Sequence, residues 1–265
     1  MANRNLPIGV FDSGIGGLTV VRALMDLLPN ESLIYFGDTA HLPYGDKSPT
    51  EIEKYVRKII NFLLAKKVKL ILIACNSAST IYDKIIRYLD RLPLINVIDP
   101  MIDHLKKYHG GKKIGLIGTK LTVNSDVYDN KLELNITGIS LEKLATPLLV
   151  PLIENEFHDD QLLNLALEEY LSHPSLCHIS TLILGCTHYP LIRDKIERFY
   201  KGRVDVLDAA RITAIAVKQI LEINSLLSNT QACHRFYLSS LTSGFIKKAR
   251  KFFGEDLHIE GVGIL

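Results

Sequence analysis

Along this chain, short apolar runs of strand length alternate with stretches whose apolar residues recur every three or four positions. Residues 8–12, 33–37, 70–74 and 94–98 read as strands. The segments between them, about 17–28, 50–66 and 79–89, read as helices. Ser48-Pro49-Thr50-Glu51 supplies the residue types that cap and open the second helix. Strands apolar on both faces belong in a parallel sheet covered by helices on each side. The order then starts again, with strands at 114–118, 139–145, 181–185 and 204–207 and helices at 124–131, 159–171 and 191–200.

The second series resembles the first. Ile8-Gly9-Val10-Phe11-Asp12-Ser13 parallels Ile114-Gly115-Leu116-Ile117-Gly118-Thr119. Ile71-Leu72-Ile73-Ala74-Cys75-Asn76-Ser77 parallels Leu182-Ile183-Leu184-Gly185-Cys186-Thr187-His188, and Val97-Ile98-Asp99 parallels Val206-Leu207-Asp208, all at offsets of 106 to 111 residues. Any two α/β units share apolar strands, so the weight falls on the cysteine that recurs at the same place. The expected fold is α/β with two pseudo-symmetric domains, residues 1–99 with 209–265 and residues 100–208. The stretch holding residues 234–238, 243–253 and 259–262 has no counterpart and is expected to extend one half.

In open parallel sheets, ligands bind beyond the carboxyl ends of the strands. Those positions hold Asp12-Ser13-Gly14-Ile15-Gly16-Gly17, Asp38-Thr39, Pro43-Tyr44-Gly45 and Cys75-Asn76-Ser77 in the first half. In the second they hold Thr119 with Thr122, Pro147 and Cys186-Thr187-His188. Hydroxyls, amides, thiols, a carboxylate and an imidazole suit a small zwitterion, whose carboxylates need neutral donors and whose ammonium needs acceptors. The glycine run fits neither a dinucleotide fingerprint nor a phosphate loop, and reads as a tight turn into a helix N-terminus.

A lone cysteine after a core strand is usually an inert small hydrophobe. Two at matching strand ends, each followed by polar residues, point instead to a pair of acid/base thiols, Cys75 and Cys186. A thiol with an ordinary pKa of ~8.5 becomes a usable base once neighbours lower it. His188 stands two residues from Cys186, and Asp12 is a candidate to orient Cys75. Cys177 and Cys233 lack that setting. Zinc on Cys75, Cys186 and His188 is the competing use, without the ligand spacing such sites carry.

The formal net charge of +2 on 265 residues, without a clustered basic stripe, gives no nucleic-acid footprint. The densest basic run, Lys247-Lys248 and Arg250-Lys251, is expected on a solvated helix face. No apolar run approaches the ~20 residues of a membrane span. The N-terminus leads into a strand without a signal-peptide pattern, so the expected location is cytoplasmic and the thiols free.

Five motifs in order closely resemble the glutamate racemase family, within the cofactor-independent aspartate/glutamate racemases. They are Phe11-Asp12-Ser13-Gly14-Ile15-Gly16-Gly17-Leu18, Gly37-Asp38-Thr39-Ala40, Pro43-Tyr44-Gly45, Ala74-Cys75-Asn76-Ser77-Ala78 and Gly185-Cys186-Thr187-His188-Tyr189-Pro190-Leu191. The resemblance runs from about Pro7 to Asp208. It implies two domains facing each other across a cleft that holds the active site, with no cofactor and no metal. Cys75 would take the proton from D-glutamate and Cys186 from L-glutamate, the opposing thiol reprotonating. The resemblance assigns substrate contacts to Asp12, Ser13, Tyr44, Gly45, Asn76, Ser77, Thr187 and His188, with Thr119 and Thr122 as a further hydroxyl pair. Glu154 matches an acidic position acting beside the histidine. The product would be D-glutamate for peptidoglycan.

Ser77 stands where that family usually has threonine, and Asp208-Ala209-Ala210 replaces a usual Asp-Ser start. An aspartate racemase, or a binding protein keeping the cleft without the reaction, are the alternative readings. A homodimer is compatible with the sequence, which does not fix it.

Overall fold

The computed structural model describes residues 4–89, 92–133, 138–154, 160–254 and 257–263. Among them, the apolar runs form two parallel sheets. One contains β1 (Ile8–Asp12), β2 (Leu33–Gly37), β3 (Leu70–Ile73) and β4 (Leu94–Asn96). The other contains β5 (Lys113–Gly118), β6 (Ser140–Ala145), β7 (Thr181–Gly185) and β8 (Asp205–Asp208). β9 (His234–Leu238) and β10 (Ile259–Gly261) join the first sheet beyond β2. The orders are β10-β9-β2-β1-β3-β4 and β6-β5-β7-β8. Matching β1 with β5 makes the two four-strand orders identical, so the sequence repeat is a repeat of topology, and the unmatched C-terminal stretch extends the first sheet.

The helices follow in chain order: α1 (Leu18–Leu27), α2 (Pro49–Ala65), α3 (Asn76–Ser79), α4 (Tyr82–Ile85), α5 (Ile98–Tyr108), α6 (Lys120–Asn124), α7 (Val127–Glu133), α8 (Leu149–Glu154), α9 (Asp160–Leu171), α10 (Arg193–Tyr200), α11 (Ala209–Ile223) and α12 (Ser243–Phe253). The foreseen capping box opens α2: Ser48 Oγ accepts from the Glu51 N–H at 3.3 Å and Glu51 Oε2 from the Ser48 N–H at 2.9 Å. Such a cap contributes about 1 kcal/mol.

Several expected elements need correction. The helix read over 79–89 begins earlier, at Asn76, and is broken into α3, α4 and a final 3-10 turn. Ser79 and Thr80 turn their hydroxyls back onto the carbonyls of Cys75 (2.7 Å) and Ser77 (2.8 Å), competing with the regular ladder. The helix read over 124–131 is split at Asp126, which adopts φ 54°. Residue 159, expected to start a helix, lies outside the described residues.

The strand read over 94–98 ends at Asn96. Asn96 Oδ1 accepts from the N–H groups of Ile98 (2.8 Å) and Asp99 (2.9 Å), and Pro100 sits in the first turn of α5, where its missing N–H costs nothing. Ile73 pairs with Asn96 as Leu184 pairs with Asp208. The true counterpart of Asp208 is therefore Asn96, not Asp99, and each caps the helix that follows, Asp208 by accepting from the Ala210 N–H at 3.0 Å.

Alternate residues of each strand face opposite ways. Val10, Leu72, Leu116 and Ile183 join Met101, Leu105, Val217 and Leu221 in one core, so α5 and α11 with α1 lie in apolar contact with both sheets. The other face of the first sheet (Phe11, Ile71, Ile73, Cys75) packs on α2, and that of the second (Ile117, Leu182, Leu184, Cys186) packs on α8, α9 and α10. Strand parity thus sets the two cysteines equivalently.

The basic run falls on α12 with Lys247, Arg250 and Lys251 exposed, as expected, while Lys248 is half-buried and reaches the carbonyl of Glu154. Among the described residues no helix is long and apolar enough to cross a membrane.

Candidate active site

In each sheet the chain runs from its first strand to one side and then places the third strand on the other. That reversal opens a crevice at the carboxyl ends. The crevices of the two sheets meet in one cavity. The first sheet contributes Ser13, Tyr44, Gly45, Cys75, Asn76 and Ser77, and the second contributes Thr119, Glu154, Cys186, Thr187 and His188. Leu42 and Val150 complete an apolar wall. The cavity is narrow, about 20 Å³, close to the size needed for one water.

Cys75 lies just beyond β3 at the N-cap position of α3, where its side chain makes no capping hydrogen bond. Burial, then the charge of Asp12, push this thiol well above the ordinary range, so it is protonated at neutral pH. Asp12 does not bond Cys75 directly. The link runs through Ser13, whose hydroxyl lies 3.8 Å from Cys75 Sγ and donates to Asp12 Oδ1 at 3.2 Å. The other carboxylate oxygen accepts from Thr187 Oγ1 at 3.0 Å, across the two halves. Burial raises the Asp12 pKa, while the charge of His188 and the Gly14 N–H, at 2.8 Å, hold it back.

Cys186 has different company. Its Sγ lies 3.7 Å from His188 Nδ1, and His188 Nε2 lies 2.6 Å from Glu154 Oε1 at the end of α8. Burial works against charge on the imidazole, yet the bonds to Cys186 and Glu154 prevail and raise its pKa to about 10. At neutral pH the ring is therefore an imidazolium, with Nδ1–H aimed at the sulfur and Nε2–H at the carboxylate.

Glu154→Gln removes the charge that helps hold the proton, so the alkaline limb of the kcat–pH profile should move toward neutrality by about one unit or more. The raised pKa also stabilises the fold. That contribution is complete below the ordinary 6.5 and is lost as pH climbs to about 10, so the thermal midpoint of the parent should fall more across this window than that of the variant.

The remaining polar residues divide by position. Asn76 Oδ1 accepts from Tyr128 OH at 3.2 Å, whereas its Nδ2 is buried and has no hydrogen-bond partner among the described residues. Ser77 Oγ and Thr119 Oγ1 meet at 2.9 Å across the halves. Thr122 stands behind Thr119, accepting its hydroxyl at 3.1 Å, and Asp12 lies beneath Ser13; neither forms the cavity wall.

Sequence reading missed the residues that hold these in place. Tyr44 OH donates to buried Asp38 at 2.5 Å, and Asp38 also binds His41 and Ser239. Tyr35 OH donates to the Gly14 carbonyl, and Tyr128 orients Asn76. Asp38 and Tyr44 were visible as strand-end residues, but Tyr35 and Tyr128 had no local signal. Among the described residues no three His, Cys, Asp or Glu side chains are grouped as a metal site requires.

Comparison with known proteins agrees with this geometry. The profile of the Asp/Glu/hydantoin racemase family matches residues 17–217. A glutamate racemase of Neisseria meningitidis is 40% identical over 257 residues, 96% of this chain and 95% of that one. Glutamate racemase 3 of Caldanaerobacter subterraneus subsp. tengcongensis is 39% identical over 249 residues, 93% and 90% of the two chains. Among solved structures, the glutamate racemase from Francisella tularensis in complex with D-glutamate matches with a TM-score of 0.90 at 36% identity, over 98% of each chain. Fold, paired strand-end thiols and near full-length similarity agree: this chain belongs to the Asp/Glu/hydantoin racemase family.

Proposed function

We propose that this chain interconverts L- and D-glutamate by moving the α-proton between Cys75 and Cys186, supplying D-glutamate for peptidoglycan from a cytoplasmic location. The observation that carries the proposal is a pair of buried cysteines, one from each sheet at equivalent strand ends, in the wall of a single cavity. Racemisation without a cofactor needs a base on one face of the α-carbon and an acid on the other.

In the L-to-D direction, Cys186 takes the α-proton. The Cα–H bond breaks and an S–H bond forms, with His188 and Glu154 steadying the sulfur. Cys75, held protonated by burial, delivers its proton to the opposite face. The reverse reaction exchanges their roles. Negative charge developing toward the α-carboxylate needs preorganised donors. The free Nδ2 of Asn76 is suited to that task; Ser13 and Thr187, whose hydroxyls donate to Asp12, line the wall beside it with the Ser77–Thr119 pair, Tyr44 and Gly45. Asn76→Ala should lower kcat/KM by about 100-fold, read from initial rates with either enantiomer.

A cavity of about 20 Å³ does not admit glutamate as it stands. Entry therefore requires the halves to part, and we take residues 1–99 with 209–265 and residues 100–208 as lobes that move about α5 and α11. Closure excludes water and strengthens the polar contacts.

Glutamate is preferred to aspartate because relatives 40% and 39% identical are named glutamate racemases. One methylene in a pocket is worth only ~1–3 kcal/mol, so aspartate should turn over at least about tenfold more slowly. Circular dichroism with L-glutamate, D-glutamate and L-aspartate tests the proposal. Both glutamate signals should decay to zero at comparable kcat/KM. Decay of the aspartate signal alone would replace glutamate with aspartate.

A further inference from the structure

The C-terminal stretch that adds β9, α12 and β10 to the first sheet has no counterpart in the repeat, yet one of its side chains reaches the second half. Lys248 of α12 donates from Nζ to the carbonyl oxygens of Ile153 (3.4 Å) and Glu154 (2.5 Å), the last two residues of α8. A cation at the last carbonyls of a helix gains from the hydrogen bonds and from the helix dipole.

The same Glu154 presents its carboxylate to His188 Nε2 at 2.6 Å, and His188 faces Cys186. The base of α12 is anchored in the first half, where Phe245 stacks on Tyr35 with ring centroids 6.3 Å apart. Tyr35 in turn bonds the Gly14 carbonyl in the loop beneath the catalytic cavity. Between α12 and α8 lies a second cavity of about 120 Å³, sharing Leu42 and Glu154 with the catalytic one. Lys248 thus spans from one half to the backbone of a residue that supports the thiol of the other.

We propose that Lys248 is a positioning residue: it clasps the end of α8 from the opposite half, so the Cys186–His188–Glu154 chain is complete only while the halves are closed. The proposal rests on the racemase reading. His188 is faced by Cys186 from the end of β7, Glu154 from α8 and Asp12 from β1, whereas Lys248 touches carbonyl oxygens and not the ring. Its effect must therefore pass through Glu154.

The test compares Lys248→Met, Lys248→Arg, Glu154→Gln and the Lys248→Met/Glu154→Gln double variant, each checked for a parental fold by circular dichroism. Lys248→Met should lower kcat about tenfold with KM within about twofold of the parent, the size expected of a small misplacement. Its alkaline limb should move in the direction of the Glu154→Gln shift, and Lys248→Arg should restore both. In the Glu154→Gln background, Lys248→Met should add nothing further.

A parental kcat and pH profile in Lys248→Met, or penalties that multiply in the double variant, would overturn the clasp. Titration of the His188 ring by NMR gives a readout without turnover, its midpoint falling in Lys248→Met. An unchanged midpoint also overturns the clasp. A parent that leaves glutamate untouched would instead count against the racemase reading.

Discussion

Cys75→Ala should abolish racemisation, lowering kcat/KM by about 1000-fold or more, and still wash solvent deuterium into L-glutamate. Cys186 remains in that variant with His188 and Glu154 beside it. It can take the α-proton of the L-enantiomer, exchange it with solvent and return deuterium to the same face. Without Cys75 no proton arrives from the other side, so configuration is kept. Cys186→Ala should show the mirror behaviour, with exchange into D-glutamate alone.

Exchange is the informative readout because the racemic equilibrium constant is unity. Any variant must lose kcat/KM equally in both directions, and rates alone cannot say which thiol serves which face. Proton NMR of the α-position, with chiral chromatography of the products, separates the cases. Exchange of D-glutamate by Cys75→Ala would reverse the assignment of faces. Parental racemisation by either variant would remove that cysteine from the mechanism.

Gly16→Ala should lower kcat about 100-fold while leaving a folded protein. Gly16 is outside the left-handed region, so alanine meets no backbone penalty there. The obstacle is contact. A Cβ would lie 2.3 Å from Thr187 Oγ1 and 2.6 Å from His188 Nδ1. Neither neighbour can swing aside cheaply, since Thr187 is bonded to Asp12 and His188 to Glu154.

The turn after β1 must therefore retreat from the end of β7, at an overpacking cost of about 1–3 kcal/mol. That retreat parts Asp12 from Thr187 and tilts His188 away from the sulfur. Gly110→Ala, with nothing within 4 Å of the added carbon, is the matched control. Steady-state kinetics and thermal midpoints of the two variants check this, and a parental kcat in Gly16→Ala would contradict it.

What the sequence showed and what it hid follow from the range of each interaction. β3 and β7 are continuous apolar runs ending in a cysteine and polar residues, so both thiols were legible from local pattern. The α5 helix was hidden by Asp99-Pro100, which resembles a break until Asn96 is seen capping it from outside. Its apolar positions, Ile98, Met101, Ile102 and Leu105, carry a helical period all the same. Of α11 only the start at Asp208 was read, although Thr213, Ala214, Val217 and Leu221 lie on one buried face.

The site itself was legible as a set of residue types and illegible as a network. Asp12 was paired with Cys75 because both end strands of the first half. Its second oxygen in fact bonds Thr187 of the other half, a contact across 175 positions of sequence. Tyr128 on Asn76 and Lys248 at Glu154 are likewise long-range contacts, set by how the halves meet and not by any motif. The expectation of two unlike thiol environments does have a geometric counterpart: Ser13 and Asp12 on one side, His188 and Glu154 on the other.

Two thiols acting from opposite faces leave a distinct isotope pattern in the early racemisation of L-glutamate in D2O. The first D-glutamate formed should carry deuterium at Cα while the remaining L-glutamate stays protiated. D-glutamate that retains the original proton would mean a single base working on both faces, and would contradict the two-thiol mechanism.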